Sequence, residues 1–227
     1  MHLNSELLFK KHALSYFKDN MKVLEIGADA LPTWYCKTVN KPSIEWFTLD
    51  IKTHWDTLEI GKNNEAMSRQ IVSNFEYNYP IEDNTFDIVF SGQVMEHVKN
   101  IWKWMDELKR ITKPGRLIIT ILPVSWPYHV APQVVDCWRI YPEGMKALME
   151  DKGLQILVNT FESLEKELIP SYVPTKPGVG VDLLEDLSKM KHKAIFMYYR
   201  VLSLIPFFKK LRVPVTVSYD AVCVCKK

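Results

Sequence analysis

Glycine is scarce in this chain, with eight in 227 residues, roughly half the usual share of about 7%. A sequence so poor in glycine places each one with some purpose. Long hydrophobic runs are missing too. No stretch of about 18 apolar residues occurs, so no membrane-spanning helix is expected. Met1-His2-Leu3-Asn4 leads into a charged helical pattern without an apolar core, so no signal peptide is expected either. The four cysteines, Cys36, Cys137, Cys223 and Cys225, contain no CxxC pair, which argues against zinc, and no metal site is assigned. A chain of this length buries enough core to need no disulfide staple. The expectation is buried, reduced thiols in a cytoplasmic protein. Neither charge sign is in excess: 29 Lys and Arg face 27 Asp and Glu, a net of +2. A nucleic-acid partner is therefore not expected.

What is present is an ordinary globular composition, 47% hydrophobic and 25% charged, which excludes disorder and low-complexity architectures. The length favours one domain, taken as residues 1–227. Residues 5–18 repeat apolar positions at helical spacing. Short apolar runs at Met21–Gly27, Ile44–Leu49, Gln70–Ser73, Phe86–Ser91 and Leu117–Leu122 read as buried strands. Ile101, Trp104, Met105, Leu108 and Ile111 share one helical face, and Lys113-Pro114-Gly115 ends that helix. Pro142 to Asp151 reads as another helix, stopped by Gly153. Leu154–Val158 and Val215–Val224 are further strands.

Strands alternating with helices imply βαβ crossovers and a mostly parallel α/β sheet covered on both faces. Ligands of such sheets bind beyond the carboxyl ends of the strands, so the residues just after each strand are the informative ones. Strand one ends in Glu25-Ile26-Gly27-Ala28-Asp29. A dinucleotide fingerprint needs glycines where Asp29 and Pro32 stand, and Asp29 would repel a pyrophosphate, so NAD is disfavoured. Asp50, at the tip of strand two, is placed to accept hydrogen bonds from both hydroxyls of a ribose. An acid for ribose beside a turn unsuited to phosphate suggests a nucleoside without phosphates. S-adenosylmethionine is the common cofactor of that description.

Four segments then resemble successive motifs of the class I S-adenosylmethionine-dependent methyltransferases: VLEIGADA at 23–30, LDI at 49–51, FDIVFSGQVMEHV at 86–98 and LKRITKPGRLIIT at 108–120. The resemblance implies a Rossmann-like, mostly parallel seven-stranded sheet with an antiparallel last strand. It places Glu25, Gly27 and Ala28 at the methionine end of the cofactor, Asp50 on the ribose, and Asn74 and Phe75 beside the adenine. Ser91 and Gln93, after strand four, would line the wall near the sulfonium. Asp29 and Leu31 depart from the family pattern, standing where its second and third glycines would be. Glu96-His97 opens the helix after strand four. It reads either as a general base facing substrate, through His97, or as a pair that fixes the loop.

The loop after strand five resembles a segment of methyltransferases from bacterial polysaccharide (O-antigen or capsule) gene clusters, with a two-residue insertion. His129 and Asp136 are the catalytic candidates that this likeness adds, and Tyr128, Trp138 and Arg139 the substrate-binding ones. An imidazole can take a hydroxyl proton, a carboxylate can orient sugar hydroxyls, and indole offers a stacking face. Arg139 with Asp136 reads equally as an ion pair pinning the loop. The reaction implied is methyl transfer to a hydroxyl of a sugar or glycan precursor. A nitrogen or carbon acceptor on another small molecule, or a non-catalytic binding module, stays open.

Residues 165–212 interrupt the last two strands and are expected to form a helical insert, acting as cap, lid or dimer contact. Within it, Ala194 to Leu211 is strongly apolar and flanked by lysines. That pattern suits a peripheral membrane contact. Pro206, which should end the helix, and the tethering of both ends favour burial of Phe196, Leu202, Leu204 and Phe207 against protein, as a lid or in a homodimer.

Overall fold

In a computed structural model of the chain, the residues described are 3–28, 32–51, 69–128, 135–165, 172–175, 181–182, 197–198, 201–202, 204–205, 213–216 and 218–227. The strands are β1 (Lys22–Ile26), β2 (Glu45–Ile51), β3 (Gln70–Ser73), β4 (Phe86–Gly92), β5 (Thr112–Ser125), β6 (Gln155–Glu162), β7 (Tyr172–Thr175), β8 (Val181–Asp182), β9 (Val213–Thr216) and β10 (Tyr219–Lys226). Seven of them form one sheet in the order β3-β2-β1-β4-β5-β10-β6. Neighbours from β3 to β5 pair in parallel, and β10 runs antiparallel to both β5 and β6. This is the α/β, Rossmann-like sheet with an antiparallel last strand that the motifs imply.

Helices cover both faces, which is why β4 is buried at six consecutive positions rather than at alternate ones. Leu24, Ile26 and Val89 meet helix α3 (Ile101–Ile111) and helix α4 (Pro142–Asp151) on one side. Val23, Ile88, Phe90 and Ile119 meet the N-terminal segment and helix α2 (Trp34–Val39) on the other. Helix α3 buries Ile101, Trp104, Met105, Leu108 and Ile111, the face its periodicity selects, and Asn100 caps it by accepting from the Lys103 N–H. Pro142 opens α4 at its first turn. The N-terminal helix α1 (Leu3–Leu8) widens into a π turn and then tightens into a 3-10 turn ending at Tyr16.

Two expectations change. Val215–Val224 is not one strand: β9 pairs in parallel with β7 and β8 in a separate three-stranded sheet, and only β10 joins the main one. The insert, expected to be helical, therefore contributes strands as well as the helical backbone at 197–198 and 201–202. Cys223 and Cys225 are buried, Cys36 is half-buried and Cys137 is exposed; all four are free.

Candidate functional site

The strand order reverses between β1 and β4, so a crevice opens at their carboxyl ends. Gly27 turns the chain there with φ +74°, its N–H donating to Leu49 O at 2.8 Å. A Cβ on Gly27 would lie 2.3 Å from Val94 Cγ2, so the turn passes directly under the loop that follows β4. Beside it, Asp50 is the last residue but one of β2, its side chain buried and its Oδ1 accepting from the Ile51 N–H at 2.7 Å. On the far side of β2, Ser73 closes β3 by donating to and accepting from the Phe75 backbone, which leaves the Phe75 ring 61% exposed. Asn74 is exposed beside it. Ala28 is buried. In β4, Ser91 Oγ is buried with no hydrogen-bond partner among the described residues. These groups share one edge of the sheet. Asp29 and Leu31 lie outside the described residues.

Glu25 is buried and bonded within the fold. Its Oε2 accepts from Thr33 Oγ1 at 2.5 Å and from Trp46 Nε1 at 2.9 Å, fastening the start of α2 to β1. Thr33 also accepts from the Cys36 N–H as the α2 cap. Gln93, held at φ +59°, donates from Nε2 to Ser5 Oγ at 2.9 Å. That bond continues into a buried polar network. Ser5 Oγ and Asn4 Nδ2 both donate to Asp220 Oδ2, at 3.3 and 2.8 Å, and the Asn4 and Ser218 N–H groups donate to Glu165. Burial pushes the Glu165 carboxyl above its ordinary range. Because β10 is antiparallel, its first residues meet the carboxyl end of β5, so Asp220 ties α1 to the same edge as the crevice.

Glu96 and His97 lie in a 3-10 turn after β4 and grip the loop after β5. The Glu96 carbonyl accepts from the Cys137 and Trp138 N–H groups, and His97 Nδ1–H donates to Val135 O at 2.5 Å. That tautomer leaves Nε2 as the nitrogen able to accept a proton, 3.7 Å from Glu96 Oε1. The Glu96 carboxyl is fully buried, and neither oxygen has a hydrogen-bond partner among the described residues. Burial pushes its pKa up to about 8 against the pull of its own backbone N–H and of Arg139, with Asp220 and Asp136 adding to the rise. Arg139 grips both Asp136 oxygens, at 2.5 and 2.7 Å, and donates to the carbonyls of Trp126, Pro127 and Trp138. Trp138 Nε1 donates to Val98 O at 2.7 Å and its ring meets Trp102 edge-on. Tyr128 is exposed. His129 lies outside the described residues.

The sheet edge thus gathers Gly27, Asp50, Phe75, Ser91 and Gln93, with His97, Asp136 and Arg139 bonded around the following loop. Thr33, Asn4, Ser5 and Asp220 were not anticipated. Thr33 carries a weak capping signal three residues before Cys36, but the others meet across more than 150 residues of sequence, where no local pattern can find them. Among the described residues no cluster of three or more His, Cys, Asp or Glu could hold a metal, and no helix is long and apolar enough to cross a membrane.

Residues 34–120 match the family described as methyltransferase domain. A demethylmenaquinone methyltransferase of Staphylococcus saprophyticus is 34% identical over 86 residues, which is 37% of this chain and 36% of that protein. The chain spans less than half the length of the curated relatives it matches. Among solved structures, an S-adenosylmethionine-dependent methyltransferase from Archaeoglobus fulgidus superposes with a TM-score of 0.51 at 16% identity, covering 98% of this chain and 92% of its own. Phosphoethanolamine N-methyltransferase 2 of Haemonchus contortus, in complex with S-adenosyl-L-methionine, gives 0.54 at 14% identity, covering 98% of this chain and 52% of its own. At such identities the likeness is one of fold. Residues 34–120 are therefore similar to a methyltransferase domain, and they lie in a fold shared with an S-adenosylmethionine-dependent methyltransferase.

Proposed function

We propose that this chain is an S-adenosylmethionine-dependent methyltransferase that methylates a hydroxyl oxygen of a sugar or glycan precursor in polysaccharide biosynthesis. The observation that carries the cofactor reading is the donor set at one sheet edge. Asp50, a buried carboxylate, stands beside the Gly27 turn, and Ser91 offers a hydroxyl without a partner among the described residues. A carboxylate suits ribose hydroxyls, and the exposed Phe75 ring suits a flat base. Bound there, S-adenosylmethionine supplies an electrophilic methyl on a sulfonium. The chain's own groups then hold the acceptor hydroxyl in line and take its proton, and much of the acceleration comes from that alignment. The sugar reading rests on the loop after β5, where His129 or His97 can act as base and Tyr128 and Trp138 offer aromatic faces. Since Arg139 already holds Asp136, we assign that pair to shaping the loop that meets the acceptor. Four free thiols suit a reducing compartment, and we place the protein in the cytoplasm.

Incubation with S-adenosylmethionine and a pool of hydroxylated metabolites should yield a product heavier by one methyl. Gain confined to amine-bearing acceptors would move the reaction to nitrogen, and no calorimetric binding of the cofactor would sink the enzyme reading. Asp50→Ala is expected to weaken cofactor binding by about 1.5–3 kcal/mol, the range for hydrogen bonds to a charged group. Unchanged affinity in a folded variant refutes the ribose role. His129→Ala is expected to lower turnover by about a hundredfold to ten-thousandfold with cofactor affinity nearly intact. If His97→Ala shows that loss and His129→Ala none, the base is His97.

A further inference from the structure

Two side chains stand where their chemistry alone would not put them. Leu204 of the insert, which a lid would bury against the domain, is 77% exposed, while Phe196 and Phe207 lie outside the described residues. Glu96 is the reverse case. An ionisable side chain is almost never fully buried unless it is paired. Glu96 has no exposed surface, and neither carboxyl oxygen has a hydrogen-bond partner among the described residues. Its own N–H pulls on the carboxyl without making a hydrogen bond. The backbone here is fixed, because the Glu96 carbonyl accepts from the Cys137 and Trp138 N–H groups. A buried polar group that the fold leaves without a partner calls for an explanation, and a ligand is one.

The surroundings select the kind of ligand. Glu96 follows β4, at the sheet edge that carries the crevice. It feels Arg139 and Asp136 from the loop after β5 and Asp220 from β10, and His97 Nε2 of its own turn lies 3.7 Å from Oε1. Arg139 grips both Asp136 oxygens, so its charge is shared with that carboxylate. Beyond Asp220 the acidic character continues, since Asn4 donates to both Asp220 Oδ2 and Glu165 Oε1. Such a field repels a carboxylate or phosphate, gives a neutral hydroxyl no advantage and attracts a cation. We propose that Glu96 anchors a primary ammonium group of a ligand bound in the crevice. On binding, R–NH3+ and the Glu96 carboxylic acid give an ammonium–carboxylate pair and one proton released to solvent. Without such a cation, burial keeps the carboxyl protonated, in line with its pKa near 8. Resting on the function proposed above, the ligand is an acceptor sugar with an amino group beside the hydroxyl to be methylated. A protonated amine has no lone pair, so the methyl still goes to oxygen. The amino-acid end of S-adenosylmethionine is the other source of the same group.

The test is calorimetry of the full chain at about pH 7 in two buffers of different ionisation enthalpy, which counts the protons released on binding. S-adenosylhomocysteine, which keeps the ammonium but has no methyl to transfer, is titrated first. Glucosamine, galactosamine, glucose and galactose are then titrated into the loaded chain. The hexosamines are expected to release close to one proton per ligand, since a group of pKa about 8 is mostly protonated at that pH. They should also bind at least about tenfold more tightly than the hexoses. Glu96→Gln should abolish both the release and the preference. Release that accompanies S-adenosylhomocysteine instead, and that Glu96→Gln abolishes, assigns the anchor to the ammonium of the cofactor. Release that persists in Glu96→Gln comes from another group, such as His97, and overturns the proposal. So does the absence of proton release from the unaltered chain with both hexosamines and S-adenosylhomocysteine, a result that needs no variant to fold. Failure of the methyltransferase reading shows separately, as no binding of S-adenosylhomocysteine at all.

Discussion

Gly27→Ala is expected to destabilise the protein by about 2–5 kcal/mol and to abolish measurable S-adenosylmethionine binding in the fraction that folds. Two separate costs add. At φ +74° a residue with a Cβ sits in the left-handed region, at roughly 1–2 kcal/mol. The new methyl would also lie 2.3 Å from Val94 Cγ2, and relieving such overpacking costs about 1–3 kcal/mol. The turn cannot slide away, because the Gly27 N–H is bound to Leu49 O on β2. Removing the clashing atom separates the two costs. The next Val94 atoms lie 3.5 and 3.6 Å from the new carbon, of which Cβ stays in Val94→Ala and is an ordinary contact. The double variant Gly27→Ala, Val94→Ala should therefore lose only the backbone part relative to Val94→Ala. Urea unfolding of the four proteins measures this as a double-mutant cycle. A single variant within about 0.5 kcal/mol of the parent would mean that the turn is not built as described.

The parts of this fold that were legible in the sequence are those whose signal is local. Helix α3 declares its buried face through Ile101, Trp104, Met105, Leu108 and Ile111, and α4 declares its start through Pro142. The strand ends at Gly27, Asp50 and Ser91 followed from apolar runs stopped by small or polar residues. Helix α2 escaped notice because its six residues, Trp34–Val39, fall short of two turns and show no period. The division between β9 and β10 was illegible for a different reason. The run from Val213 to Tyr219 alternates like one strand, but the Ser218 N–H is taken by Glu165, more than 50 residues away, and pairing stops there. The same holds for the site. Gly27 and Asp50 can be found from position alone, whereas the bonds from Gln93 to Ser5 and on to Asp220 exist only once the sheet has closed.

Glu96→Gln is expected to flatten the fall of stability with pH. The Glu96 carboxyl has an ordinary pKa of 4.5 when unfolded and about 8 when folded, chiefly because burial disfavours its charge. The residue's own backbone N–H and then Arg139 oppose the shift, while Asp220 and Asp136 reinforce it. His97 Nε2, 3.7 Å from Oε1, is too far to hydrogen-bond the carboxyl. Between those two pKa values the native state keeps a proton that the unfolded chain releases, so each rise in pH favours unfolding. No cost from this group exists below the unfolded value, and the cost is complete above the folded one. At about 1.4 kcal/mol per pKa unit it reaches ~4 kcal/mol by pH 8. Glutamine has nearly the same shape and cannot ionise. The variant should match the parent to within about 1 kcal/mol near pH 5 and exceed it by ~3–4 kcal/mol near pH 8. The difference between the two urea-unfolding curves isolates Glu96, since every other titrating group is common to both. Parallel curves from pH 5 to pH 8 would mean that Glu96 ionises normally. Its carboxyl would then have a polar partner that Arg139 and His97 do not provide.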